Sequence, residues 1–310
     1  MTAGSRQKWW ALGALALSLL VVGLDLTVLN VALPTLAVDL HASTSSLQWF
    51  ANAYNLVLAA ALLPAGLLGD RYGRKRLLLV ALVLFGVASV GCAYAGSTGA
   101  LIGARALLGL GAAFLLPLSV SVLPVLFTAE ERPRAIAVWA SANAIGIPLG
   151  PILGGWLLDH YWWGSVFLIN VPVIALALAA VTMLLPESRA AVPPRIDLLG
   201  VVLSSLGLVG LTYGVIEAGD NGWSDPGTVA TIAAGVLLLA CFVAWQLRLS
   251  HRPDGQPLID LSLFRSASFT WGATLATLVS FAMFGVLFTM PQYFQAVIGA
   301  DALGTGLRLL

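Results

Sequence analysis

The chain has 310 residues, of which 59% are hydrophobic and only 9% charged, with a net charge near +1. A soluble domain carries about 25% charged residues. This chain cannot cover itself with polar surface, so an integral membrane protein is the expected class.

A helix crosses the hydrocarbon core in roughly 20 residues. Apolar runs of that length fall at 10–33, 47–69, 77–95, 101–126, 135–158, 165–186, 197–217, 228–248 and 267–294, predicting nine spans. The apolar run that opens the chain is longer than a signal-peptide core, so it reads as an uncleaved first helix. The ending DALGTGLRLL reads as the opening of a tenth helix, as if the chain were cut short. Basic residues sort by side. Arg6 and Lys8 precede span one, Arg71, Arg74, Lys75 and Arg76 follow span two, and Arg132 and Arg134 follow span four. Arg189 and Arg195 follow span six, and Arg248, Arg252 and Arg265 follow span eight. Nine alternating helices put all of these on one side, which the positive-inside rule makes cytoplasmic. The Pro-broken linker ESRAAVPPRID and the polar stretch RLSHRPDGQPLIDLSLFR divide the chain. The expected plan is a six-helix bundle over 1–190, a two-helix insertion over 191–250 and the start of a second bundle over 251–310.

The first span holds an unexpected group, Asp25 in VVGLDLTVLNVALP. A charge near the bilayer centre costs at least ~2.5–3.5 kcal/mol on insertion scales. Inside the first six spans the one basic residue is Arg105, in LIGARALLGLGAA. Asp25 lies roughly 22 Å above the cytoplasmic end of its helix, and Arg105 roughly 7 Å below the outer end of span four. In a ~30 Å core these heights are similar, so the two can pair. Such a pair is either a static tie between helices or a protonation site. An apolar setting favours a neutral acid while a guanidinium favours the carboxylate, and a group under opposed pressures can switch.

Other polar groups sit at depth. Asn52 and Asn55 are three apart on one helix face, with Tyr54 close by, and Asn30 and Asn143 lie in neighbouring spans. Each alone is explained by hydrogen bonding between helices. As a set around Asp25 and Arg105 they are expected to wall a wet substrate cavity. Glu217, near the end of a later span, reads as a solvated loop-edge carboxylate. In GLLGDRYGRKR, Gly66, Gly73 and their neighbours permit close backbone approach, and Asp70 is free to latch onto a helix N-terminus or a nearby arginine. In GIPLGPILGG, Gly146, Gly150 and Gly154 recur every four residues, with Pro151 and Gly155 beside them. That makes a smooth groove for another helix.

Together these stretches resemble the major facilitator superfamily, and within it the 14-helix drug:proton antiporters. LDLTVLNVALP is similar to the first-helix motif, GLLGDRYGRKR to the cytoplasmic loop motif, LIGARALLGLGAA to the fourth-helix motif and GIPLGPILGG to the antiporter motif. FLINVP and PQYFQAVIG are also family-like. Leu108 stands where the fourth-helix motif often has Gln. The resemblance implies an all-α fold with a six-helix bundle, an inserted helix pair and the start of a second bundle. It implies a monomeric exporter in a bacterial inner membrane, exchanging protons for small lipophilic or cationic molecules, without cofactor, metal or nucleic acid. Asp25 and Arg105 would couple protons, and Asp70, Arg71, Arg74 and Lys75 with Gly66 and Gly73 would latch the cytoplasmic side. Gly146–Gly155 would seal the interface between states. A metabolite importer of the same fold and a non-transporting fragment are the alternatives. A membrane enzyme is disfavoured, because the three histidines map to loops and no Ser-His-Asp or Cys-His cluster is apparent.

Overall fold

A computed structural model describes residues 5–190, 197–252 and 255–309. Arg195 and most of the Pro-broken linker lie outside the described residues. So does part of the polar stretch before the ninth span.

The elements are α-helical, apart from a 3-10 turn at Leu261–Arg265. They are α1 (Ser5–Asp39), α2 (Thr44–Tyr72), α3 (Arg74–Ala93), α4 (Thr98–Leu126), α5 (Arg132–His160), α6 (Ser165–Leu168), α7 (Asn170–Leu184), α8 (Leu198–Asn221), α9 (Pro226–Ser250), α10 (Ala267–Ala296) and α11 (Ala302–Arg308). Among the described residues, nine helical stretches are long and apolar enough to cross a membrane, with α6 and α7 forming one stretch broken at Ile169. Each hydropathy-based span overlaps one of them, and three spans, 77–95, 165–186 and 197–217, overrun a helix end by one or two residues. Hydropathy underestimates α1 at its outer end, where the helix runs past Pro34 to Asp39.

Polar residues in the loops set the helix starts. Ser43, Ser97, Asp197, Asp225 and Asp301 each accept a backbone N–H three residues on, satisfying an otherwise orphaned donor. Pro133 sits in the first turn of α5, where its missing N–H costs nothing.

The most deeply buried helix is α1. Leu12, Leu15, Leu29, Leu33 and Leu36 are almost wholly enclosed. It packs along α5 and touches α7, α10, α4 and α2, while α2 packs along α4 and α3 along α4 and α7. In a bilayer, lipid is as apolar as leucine. Close packing and polar contacts, rather than exclusion of water, must therefore hold α1 in the middle. The pair α8–α9 forms a hairpin that docks through α8 on α2, where Trp49 and Tyr213 approach to 6.0 Å. Cys241 on α9 is exposed, whereas Cys92 on α3 is buried. The last described segment turns back as α11 and packs on α5.

At the end of the bundle that carries the chain's start, the α2–α3 corner is pinned. Gly73 takes φ 116°, a conformation that favours glycine. Glu187, just past α7, then accepts the backbone N–H groups of Lys75 and Arg76 at 3.1 and 3.2 Å. A carboxylate from 112 residues away thus caps α3.

Candidate functional site

Asp25 and Arg105 meet. Arg105 Nη1 donates to Asp25 Oδ2 at 2.5 Å, with the two side chains 2% and 0% exposed. Arg105 is held on two other sides. Its Nε donates to the Phe50 carbonyl at 2.9 Å, and its guanidinium carbon lies 4.6 Å from the centre of the Tyr54 ring. The sequence permits this reach because Gly109, one turn beyond Arg105, lies against the backbone of Tyr54. A Cβ there would stand 3.0 Å from Tyr54 Cα. With no side chain at 109, α2 and α4 approach closely, and Phe50 comes within range one turn away. Leu108 is fully buried and supplies packing but no polar support.

Asp25 has a second partner that periodicity did not single out. Asn170, at the start of α7, donates from Nδ2 to Asp25 Oδ1 at 3.3 Å and also to Ser89 Oγ at 3.3 Å. Asn170 and Ser89 are both fully enclosed. The available signal was a lone amide in the apolar run FLINVP.

Beside this cluster lies a cavity of about 290 Å³, lined on its polar side by Asn30, Gln48, Asn52, Asn55 and Arg105, and by Phe284 and Phe288 of α10 among its apolar walls. Asn30, Asn52 and Asn55 are thus among the lining residues. Tyr54 and Asn143 are not among the lining residues. Tyr54 lies two residues past Asn52, so it projects from a different side of α2, where its ring covers Arg105. Asn143 faces α1 instead, with its carbonyl against Gly23. Asp25 is also absent from the wall. Its partner Arg105 is among the lining residues.

In the loop motif, Asp70 pairs with Arg74, one turn on, at 2.7 Å, and its backbone carbonyl accepts from Ala190 N at 2.9 Å. Lys75 Nζ donates to the Thr182 carbonyl at 2.7 Å, and Arg74 N to the Ser188 carbonyl at 2.9 Å. Arg71 lies apart from this set, its guanidinium 5.6 Å from the centre of the Tyr72 ring. Gly66 approaches Pro117 of α4. The latch residues therefore tie α2 and α3 to the end of α7. A helix N-terminus is indeed bound here, but by Glu187 rather than by Asp70.

The glycine groove has two partners. Gly146, Gly150 and Gly154 face α1, where added Cβ atoms would stand 2.8 Å from the Leu20 carbonyl, 3.0 Å from the Leu24 carbonyl and 2.7 Å from Val28 Cγ2. Thr27 Oγ1 donates across this seam to the Ile147 carbonyl at 2.9 Å. Gly155 and Pro151 face the other way, onto α11, where a Cβ at 155 would stand 2.7 Å from Leu303 Cα. Glu217 is a solvent-edge group that accepts from Asn221 at 2.8 Å.

The sequence profile described as Major Facilitator Superfamily matches residues 15–310. The chain belongs to the major facilitator superfamily. It is 40% identical over 305 residues to the multidrug efflux pump LfrA of Mycolicibacterium smegmatis, covering 98% of this chain and 59% of that protein. It is 37% identical to the tetracenomycin C resistance and export protein of Streptomyces glaucescens, covering 98% and 56%. It is 34% identical to the methyl viologen resistance protein SmvA of Salmonella typhimurium, covering 98% and 61%. The chain thus spans less than two thirds of the length of these relatives. In fold it is similar to the proton:xylose symporter XylE, with a TM-score of 0.63 and 18% identity over 99% of this chain and 66% of that one. It also resembles the POT family transporter PepTSo, with a TM-score of 0.59 and 16% identity over 81% and 56%. This major facilitator chain is a multi-pass membrane protein.

Proposed function

We propose that the full-length protein is a proton-coupled exporter of small lipophilic or cationic molecules, working by alternating access and as a monomer. The observation that carries this reading is the enclosed Asp25–Arg105 pair beside a cavity of mixed polar and aromatic lining. A carboxylate with one arginine partner and no direct exposure can exchange its proton only when that contact opens. Arg105 contributes both to the pair and to the cavity wall, so a bound cation would compete for the space and field that Arg105 occupies. The names of the relatives, which speak of multidrug efflux, export and resistance, support the same class of cargo. The 14-helix antiporters are the branch that this reading favours.

Residues 1–190 form the first bundle in this reading, 191–250 the inserted pair and 251–310 the start of the second bundle. The docking of the α8–α9 hairpin on α2 supports that division. The basic residues gathered at the end that carries Lys8 support a cytoplasmic N-terminus in a bacterial inner membrane. The Asp70–Arg74 pair and its ties to the end of α7 would hold that cytoplasmic side.

The test is uptake of a fluorescent lipophilic cation into inverted membrane vesicles carrying the full-length protein. Acidifying the vesicle interior should drive uptake, and Asp25→Asn should lower it at least tenfold while the protein still reaches the membrane. Undiminished pH-driven uptake by Asp25→Asn would refute the coupling role of Asp25.

A further inference from the structure

We infer that Asn170, backed by Ser89, is a positioning residue for Asp25, holding the carboxylate oxygen that Arg105 leaves free. The inference rests on the coupling role proposed for Asp25 and extends it to α7 and α3.

The two oxygens of Asp25 are divided between partners. Oδ2 takes Arg105 from α4, and Oδ1 takes the amide of Asn170 from α7. Ser89 on α3 takes the same amide nitrogen. The amide therefore spends its N–H donors on Asp25 and Ser89, and its Oδ1 has no partner among the described residues. That orientation matches a carboxylate. Swapping the amide's oxygen and nitrogen would set one acceptor against another at Asp25. All four side chains are enclosed, so no bulk water competes for these bonds.

This arrangement has a consequence for transport. When the Arg105 contact opens, Asp25 still holds one donor. The bare carboxylate is then supported rather than stranded in an apolar core. Hydrogen bonding to a carboxylate favours its charged form. The other titratable or charged groups near Asp25 are Arg105 of α4, Tyr54 of α2 and Cys92 of α3. Arg105 carries the fixed charge, and neither the Tyr54 hydroxyl nor the Cys92 thiol makes a hydrogen bond to Asp25. Asn170 is thus the one direct neutral donor to Asp25 among the described residues.

Asn170→Leu replaces the amide with an apolar side chain of similar size. In full-length protein, the pH profile of proton-driven cation uptake should move to higher pH by about one unit, because the charged form loses a donor. Ser89→Ala removes the backing contact with little change in volume and should move the profile the same way by less. A profile of unchanged position with a uniformly lower rate would make Asn170 merely structural and overturn the inference. If Asn170→Leu fails to reach the membrane, Ser89→Ala decides, and an unmoved profile there overturns it equally. Asp25→Asn run in parallel separates the two ideas. If that variant keeps the wild-type profile, the coupling role of Asp25 has failed; if it loses coupling while Asn170→Leu and Ser89→Ala leave the profile in place, only the Asn170 inference has failed.

Discussion

Arg105 makes three contacts with one planar group: Asp25 through Nη1, the Phe50 carbonyl through Nε and the Tyr54 ring through its face. A lysine ammonium is a point charge on a flexible stem and cannot serve all three at once. Arg105→Lys would keep the charge beside Asp25 but release Phe50 and the ring. Hydrogen bonds involving a charged group contribute about 1.5–3 kcal/mol, so pH-driven uptake should fall about tenfold or more. Vesicle uptake with Arg105→Lys, normalised to membrane level, checks this. Wild-type uptake would mean that charge alone matters. The cost of Asp25→Asn also follows from the pair, since it leaves Arg105 as a buried cation with no opposite charge beside it. A lower thermal midpoint should accompany its loss of coupling.

Among the elements, α5 carries two seams on one glycine-rich stretch. The sequence shows a single four-residue repeat, Gly146, Gly150 and Gly154. The structure turns that repeat toward α1 and turns Gly155 and Pro151 toward α11. Substitutions should therefore separate. Gly150→Leu forces a branched side chain onto Thr27 and the α1 backbone, an overpacking cost of typically ~1–3 kcal/mol. It should lower the thermal midpoint in detergent and the amount of protein in the membrane. Gly155→Leu presses on α11 instead. If α11 belongs to the second bundle, that contact changes between transport states, and the variant should keep its membrane level while uptake falls. Fluorescence-detected size exclusion with uptake on the same membranes measures both. Equal loss of level in the two variants would make both seams structural.

Across the whole molecule, the end of the helix bundle that carries the start of α1 is closed by contacts between distant segments. Lys8 at the start of α1 donates to Glu131, just before α5, at 2.5 and 2.7 Å. Trp9 stacks edge-on to Phe127 at 5.1 Å, and Arg134 lies over the Trp9 ring. The hydrogen bond from Lys8 holds the Glu131 carboxyl below its ordinary range. A carboxyl depressed in the folded state stabilises the protein at pH values above its unfolded value, about 4.3 for glutamate, and that stabilisation is lost as pH falls through the folded value. Glu131→Gln should therefore lower the thermal midpoint at neutral pH, and the gap to wild type should narrow below about pH 4. Midpoints measured from pH 7 down to pH 3.5 test this. A gap that persists at the acid end would assign the effect to packing instead.

The spans, the pairing of Asp25 with Arg105 and the family motifs were legible in the sequence. Each depends on one window of residues meeting a bilayer, or on depths that follow from a fixed rise per residue. The Asp25–Arg105 pairing was accessible because few charges compete at that depth. Three matters were decided only by tertiary structure. Asn170 reaches Asp25 across 145 residues of sequence, and Glu187 reaches α3 across 112. Tyr54 and Asn143 leave the cavity, although they share helices or depth with residues that line it. Depth along a helix follows from counting. The direction in which a side chain points at that depth depends on how neighbouring helices pack. Here that packing turns on close approaches such as Gly109 against Tyr54 and Gly150 against α1, where the partner helix cannot be read from the glycine itself.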